Sequence, residues 1–157
     1  MRILFVCDGN ICRSPMAEAL LRQTLSERRL NWVNVTSGGL VASPTGVAHS
    51  QLRRVLGPAY VLVENRRSQP LTEPLMAESD LILGMEDRHV RQLTERFPAS
   101  KGRIDKITTY AGKNGEVRDF PESGYGTVVE WLRHCYNIMQ PCIVTIADRL
   151  ALERKND

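Results

Sequence analysis

Ile3-Leu4-Phe5-Val6-Cys7-Asp8-Gly9-Asn10-Ile11-Cys12-Arg13-Ser14-Pro15 is the stretch on which the reading of this 157-residue chain turns. Ile3 to Val6 is an unbroken apolar run, the pattern of a strand covered on both faces. Ser14-Pro15 reads as a helix start, because Ser is a favoured cap and Pro suits the first helical position. Ala17, Leu20, Leu21 and Leu25 then fall on one helical face. A short loop closing on a helix start can turn its backbone N–H groups inward, with the positive helix end behind them, and so cradle an anion. Gly9 would permit the tight turn. Arg13 can clamp two oxygens of a phosphate with its planar fork. Ser14 can donate to a thiolate at Cys7 while accepting from the helix N–H groups. These features stabilise negative charge and favour Cys7 as a thiolate, a nucleophile aimed at phosphorus. The loop is not of the ATP-binding type, since the Gly-Lys-Ser/Thr ending is absent.

Outward from this loop, short apolar runs alternate with helical periodicity. Trp32 to Ser37, with Val33 and Val35 alternating, reads as an edge strand. Pro44 opens a second helix carrying Ala48, Leu52, Val55 and Leu56, which Gly57-Pro58 ends. Pro70 to Glu78 supports a short helix, and Leu81-Ile82-Leu83 another buried strand. Val90, Leu93 and Phe97 mark a third helix, stopped by Pro98. Ile104 to Ile107 reads as the fourth strand and residues 111–124 as a long loop. Val128, Leu132, Cys135 and Met139 mark a further helix. Ile143, Ile146, Ala147 and Leu150 extend the pattern past Pro141, as a kinked continuation or a separate helix. Arg154 to Asp157 is expected to fray. This order predicts an α/β fold of three layers, a central four-stranded parallel sheet with helices on both faces. In such folds ligands sit at the carboxyl ends of the strands.

Length and composition suit one domain over residues 1–157. Apolar residues at 42% and charged residues at 25% exclude a disordered or collagen-like chain. The longest apolar runs fall far short of the ~18 residues of a spanning helix. The net charge is +3, and runs of basic residues such as Arg28-Arg29, Arg53-Arg54 and Arg66-Arg67 are no longer than pairs. Neither a nucleic acid nor a membrane is therefore expected as a partner. Residues 2–6 run straight into Asp8 and Gly9 without a cleavage site, and four cysteines are too few for a disulfide framework. The expectation is a cytoplasmic protein with reduced thiols. His49, His89 and His134 do not converge in sequence with cysteines or carboxylates at metal spacing, so no metal and no cofactor is expected.

Cys7 to Pro15, followed by Met16-Ala17-Glu18, closely resembles the signature of the low-molecular-weight protein tyrosine phosphatases. Ser37-Gly38-Gly39 resembles that family's Ser-Ala-Gly after strand two. Asp80-Leu81-Ile82-Leu83-Gly84-Met85 resembles its third strand, so the likeness covers nearly the whole chain. The resemblance implies a flavodoxin/Rossmann-like phosphatase I fold. It implies a phosphorylated protein as substrate, inorganic phosphate as product, and a monomer or weak dimer. It implies two chemical steps: Cys7 attacks the phosphoryl group, and the phosphocysteine is then hydrolysed. Asp8, Gly9, Asn10, Ile11, Cys12, Arg13 and Ser14 would form the phosphate loop, with Arg13 and the loop N–H groups on the equatorial oxygens.

In the family an aspartic acid in an Asp-Pro pair protonates the leaving group and then activates water. Here Val117-Arg118-Asp119-Phe120-Pro121 makes Asp119 the candidate, with Phe120 interposed and Glu122 as the substitute if the loop is re-registered. Asn10 resembles the residue that brace the cradle, with Ser14 and Ser37 behind it, and Arg66 falls where the family often has His. Cys12 either packs the helix start or forms a reversible disulfide with Cys7 that guards it from over-oxidation. Ile11, Leu40, Val41 and Tyr125 would be pocket walls, although Leu40 and Val41 serve a core equally well.

Four activities fit this loop. Phosphotyrosine hydrolysis is favoured, because Ile11 is bulky and apolar. The phosphoarginine branch of the family, which Pro70-Leu71-Thr72 and Tyr110-Ala111-Gly112 resemble, carries Thr at that position. Arsenate reduction would need a distal cysteine pair. Cys135 and Cys142 have the spacing, but Cys135 lies on an apolar helical stripe. A phosphate-binding module with weak turnover is supported only by the altered acid loop.

Overall fold

A computed structural model describes residues 1–120 and 124–156. Four strands form one parallel sheet: β1 (Arg2–Cys7), β2 (Asn34–Gly39), β3 (Leu81–Gly84) and β4 (Ile104–Lys106), in the spatial order β2-β1-β3-β4. Among the described residues six α-helices accompany them: α1 (Arg13–Glu27), α2 (Leu52–Leu56), α3 (Glu73–Glu78), α4 (Asp87–Arg96), α5 (Ile107–Tyr110) and α6 (Val128–Asn156). The predicted α/β architecture is thus the observed one. Alternate residues of β1 feed two separate cores. Ile3, Phe5 and Cys7 join residues of α1, α2 and α6 on one face. Leu4 and Val6 pack with Leu71, Met76, Ile82, Leu93 and Phe97 on the other. No helix among the described residues is long and apolar enough to cross a membrane.

The sheet order also positions the site. The chain leaves β1 toward β2 on one side, then crosses to β3 on the other. The carboxyl end of β1 is therefore the topological switch point, where the crevice of an open α/β sheet lies. Cys7 stands there, paired with Gly39, while Val6 pairs with both Gly38 and Gly84. Gly39 is required by space: a Cβ on it would stand 2.5 Å from the Asp8 carbonyl oxygen and 3.0 Å from the Asn10 nitrogen.

Two local expectations need correction. The helix expected from Pro44 is absent before Leu52. The N–H of His49 goes to the Ile11 carbonyl, Val47 bridges to Arg67, and Gly46 accepts from Ser68, so this segment's backbone is spent on the cradle side. As expected, α2 ends at Gly57, which caps it with φ +56°, and the chain continues as a 3₁₀ turn, Gly57–Leu62. At Pro141 the structure selects the continuation over a separate helix: α6 runs through it as one element. The tail expected to fray is helical through Asn156.

Candidate active site

The segment after Cys7 bends sharply, but at Asn10 rather than Gly9. Asn10 has φ +55°, and Gly9 is not left-handed. Asn can hold that backbone because its short polar side chain bonds locally. Its Nδ2 donates to Ser14 Oγ (2.8 Å) and Ser37 Oγ (2.9 Å). Its Oδ1 accepts from the Gln69 N–H (2.9 Å), and its carbonyl from Ser68 Oγ (3.1 Å). The side chain is buried and fully engaged. The expected brace of Asn10, Ser14 and Ser37 is assembled. Ser14 lies inside the first turn of α1 and does not cap it; Cys12 holds the cap position. Ser14 Oγ is 3.0 Å from Cys7 Sγ and 3.3 Å from the Gly38 carbonyl. With Asn10 donating to this hydroxyl, its single proton can point to the carbonyl when Cys7 is a thiol and to sulfur when it is a thiolate.

Behind Ser37 the brace ends in a buried ion pair. Ser37 donates to Glu18 Oε2 (2.7 Å), and Glu18 is 3% exposed. Arg66 pairs with that carboxylate and also donates to Ser37 Oγ (2.7 Å) and Thr36 Oγ1 (3.0 Å). The residue in the family's histidine position is thus a permanently charged one, matched by Glu18.

Arg13 is 3% exposed and almost wholly committed. Nη1 donates to Glu86 Oε2 (2.6 Å) and the Val117 carbonyl (2.8 Å), and Nη2 to Asp8 Oδ2 (2.9 Å). Among the described residues this leaves the Nε–H and one Nη2–H, the two-donor edge that fits two phosphate oxygens. Burial works against the Arg13 charge, but Cys7 and the Glu86 hydrogen bond outweigh it and strengthen its hold on the proton.

Sequence reasoning missed Glu86, Arg88 and His89, which lie at the start of α4 and meet the loop only through the β1–β3 pairing. His89 is completely buried. Its Nδ1 accepts from the N–H groups of Met85 (3.2 Å) and Glu86 (3.1 Å), so the proton sits on Nε2, 3.2 Å from Asp8 Oδ1. His89 therefore does converge with carboxylates, contrary to the sequence reading: Asp8, Glu86 and His89 bring ligand atoms within 4.8 Å of one another. Both carboxylates already accept from Arg13 and Arg88, which supply the positive charge that a cation would bring. Burial opposes ionisation of Asp8 and Glu86. Hydrogen bonds from His89 and Arg88 to Asp8, and from Arg13 and Arg88 to Glu86, win and hold both below the usual carboxylate range.

A hollow of about 290 Å³ opens over Cys7, lined also by Ile11, Cys12, Arg13, His49, Asp119, Phe120, Val128 and Trp131. Asp119 is held there through the two residues before it. The Val117 N–H donates to Met85 O, and Trp131 Nε1 donates to Arg118 O (2.8 Å). Asp119 Oδ1 lies 3.6 Å from Arg13 Nη2 and accepts from the Phe120 N–H. The alternative acid, Glu122, lies outside the described residues.

Of the expected walls, Ile11 lines this hollow. Leu40 and Val41 instead line a neighbouring one of about 430 Å³ with Asp8, Gln92, Glu95 and Arg96, because their N–H groups bond to Cys7 O and Asp8 O and turn the chain away. Tyr125 stacks on His134, with ring centroids 4.8 Å apart, rather than lining the hollow. The aromatic wall is Phe120 against Trp131 (5.7 Å), and Phe120, seen in sequence only as an interruption, belongs to it. All four cysteines are free thiols. Burial pushes the Cys12 and Cys135 thiols up to about 12 and raises Cys142, whose Sγ donates to Ile138 O.

A thiol, a guanidinium fork and a carboxyl group meeting at a strand-to-helix turn define a cysteine-dependent phosphatase architecture. Comparison with known proteins agrees: residues 2–156 match the family described as low molecular weight phosphotyrosine protein phosphatase. The chain belongs to that family. It is 33% identical over 156 residues to the protein-arginine-phosphatase of Bacillus subtilis (strain 168), covering 99% of this chain and 100% of that one. It is 32% identical over 149 residues to the low molecular weight protein-tyrosine-phosphatase Etp of Escherichia coli (strain K12), covering 95% and 94%. The solved YwlE arginine phosphatase from Geobacillus stearothermophilus superposes with a TM-score of 0.83 at 30% identity, covering 99% and 96%.

Proposed function

We propose that this protein hydrolyses phosphotyrosine in proteins through a phosphocysteine. The observation that carries this reading is the hollow itself, where Cys7, Arg13 and Asp119 meet beneath walls of Ile11, Phe120 and Trp131. An aromatic ring buries well against such walls. Cys7 Sγ attacks phosphorus and the P–O(aryl) bond breaks. The free edge of Arg13 and the loop N–H groups hold the equatorial oxygens as charge develops. Asp119 protonates the departing phenolate, then takes a proton from the water that splits the phosphocysteine, releasing inorganic phosphate. Ser14 turns its hydroxyl proton toward the sulfur that leaves as thiolate. Cys12, beside Cys7 in the same hollow, is the partner for a protective disulfide under oxidation. The protein works in the reducing cytoplasm.

Phosphoarginine is the second reading, supported by the full-length likeness to the Bacillus enzyme. The deciding experiment measures hydrolysis of a phosphotyrosine peptide and a phosphoarginine peptide, in reducing buffer, by wild type, Cys7→Ser, Asp119→Ala and Ile11→Thr. The expected result is tyrosine preference in wild type, loss of turnover in Cys7→Ser, and a shift toward phosphoarginine in Ile11→Thr. Asp119→Ala should slow by about 10²–10⁴ and lose the basic limb of its pH profile. Wild-type preference for phosphoarginine would overturn the substrate, and unchanged turnover in Asp119→Ala would overturn the acid.

A further inference from the structure

Asp8 sets an electrostatic problem. Its carboxylate belongs to the loop and lines the hollow with Cys7, where a phosphate dianion would have to settle. An uncompensated carboxylate a few ångströms from that dianion repels it strongly at the low effective dielectric of a half-closed site. Asp8 also draws on Arg13, which already faces Glu86. Two carboxylates against one guanidinium would leave the cradle net negative before any substrate arrives.

Arg88 removes the excess. From the first turn of α4 it grips both oxygens of Asp8, Nη1 on Oδ1 at 2.8 Å and Nη2 on Oδ2 at 2.5 Å. The same Nη2 donates to Glu86 Oε2 at 2.8 Å. His89 Nε2–H completes the coordination of Asp8 from beneath. The charges of Asp8, Glu86, Arg13 and Arg88 thus cancel, and the further carboxylate near Arg13 is that of the proposed acid, Asp119, 3.6 Å from Nη2. Arg88 lies about a third exposed, as a group does that serves the site from its flank rather than the core.

We propose that Arg88 is a positioning residue of the phosphate cradle: by neutralising Asp8 it leaves the free edge of Arg13 with net attraction for a phosphate dianion. This rests on the phosphatase reading above and adds to it a residue that does not touch phosphorus. Arg88 acts through Asp8, so its removal must be rescued by removing the Asp8 charge as well. A merely structural role would show no such rescue.

The test is calorimetric binding of inorganic phosphate, alongside KM and kcat on an aryl phosphate, for wild type, Arg88→Ala, Arg88→Lys and the double variant Asp8→Asn/Arg88→Ala. Thermal melts confirm that each is folded. Arg88→Ala should weaken phosphate binding and raise KM by about ten- to a hundredfold, with a smaller change in kcat. Arg88→Lys, a point charge without the fork, should recover part of the loss. The double variant should recover most of it. Wild-type phosphate affinity in Arg88→Ala, or a double variant no better than the single, would overturn the proposal while wild type still turns over. A wild type that neither binds phosphate nor hydrolyses the ester would overturn the underlying reading, and this inference with it.

Discussion

Replacing Asn10 by Ala should cost this protein a large part of its stability, and the size can be worked from the contacts. The substitution removes two donated hydrogen bonds, to Ser14 and Ser37, and one accepted from the Gln69 N–H. At roughly 1 kcal/mol each for buried bonds, that is about 3 kcal/mol. Ala must also hold φ +55°, which adds about 1–2 kcal/mol. The expected total is about 4–5 kcal/mol, against a usual domain stability of about 5–15 kcal/mol. Asn10→Gly loses the same bonds without the backbone strain, and should be about 1 kcal/mol milder. Urea unfolding of the three proteins gives these differences directly. Turnover of an aryl phosphate, measured where each variant is still folded, should fall more than tenfold in both, because the cradle is no longer pre-organised. An Asn10→Ala protein within 1 kcal/mol of wild type would refute the reasoning, as would a Gly variant less stable than the Ala variant.

Three further outcomes are expected. Arg66→Ala leaves the buried Glu18 carboxylate with only the Ser37 hydroxyl and the more distant Arg22 Nη1 at 3.5 Å, and should cost about 3 kcal/mol in urea unfolding, most of it regained in Glu18→Gln/Arg66→Ala. Asp8 and Glu86 are held below their ordinary values of 3.8 and 4.5 by the hydrogen bonds that outweigh their burial. Their contribution to stability is therefore complete above about pH 5 and lost as pH falls through the lower folded-state values. The urea midpoint should hold steady from pH 7 to about 5 and drop below it, less steeply in Asp8→Asn. Iodoacetamide at neutral pH, followed by mass spectrometry, should label Cys7 and spare Cys12 and Cys135, whose thiols burial pushes up to about 12. Inorganic phosphate should slow that labelling, and labelling at Cys135 first would contradict the burial assigned to it.

The elements that sequence made legible are those whose chemistry is local. Ile3 to Val6 is apolar at every position because both sheet faces are covered, and the strand can be read from that run alone. Cys7, Arg13 and Ser14 fall within one turn of chain, so their convergence on an anion follows from their spacing. Asp119 was legible only through the resemblance to the family's Asp-Pro pair, and its anchoring by Trp131 was not. The segment after Pro44 was misread because the His49 N–H bonds across to the Ile11 carbonyl and the Gly46 carbonyl accepts from the Ser68 N–H, rather than both bonding along a helix, a competition that no periodicity records. Gly9 looked like the turn residue by type, yet Asn10 takes the left-handed position because Ser14, Ser37 and Gln69 supply bonds that compensate the strain.

The charge balance of the site was decided by tertiary structure. Asp8 and Arg88 lie 80 positions apart and meet because β1 pairs with β3, which delivers the start of α4 to the loop. Sequence by itself determined the fold class and the nucleophile's loop, because strand patterning and loop geometry are properties of neighbouring residues. Which carboxylates face Arg13, what neutralises them and which aromatic rings wall the hollow depended on strand order, because electrostatic and packing energies depend on distance in space and not along the chain.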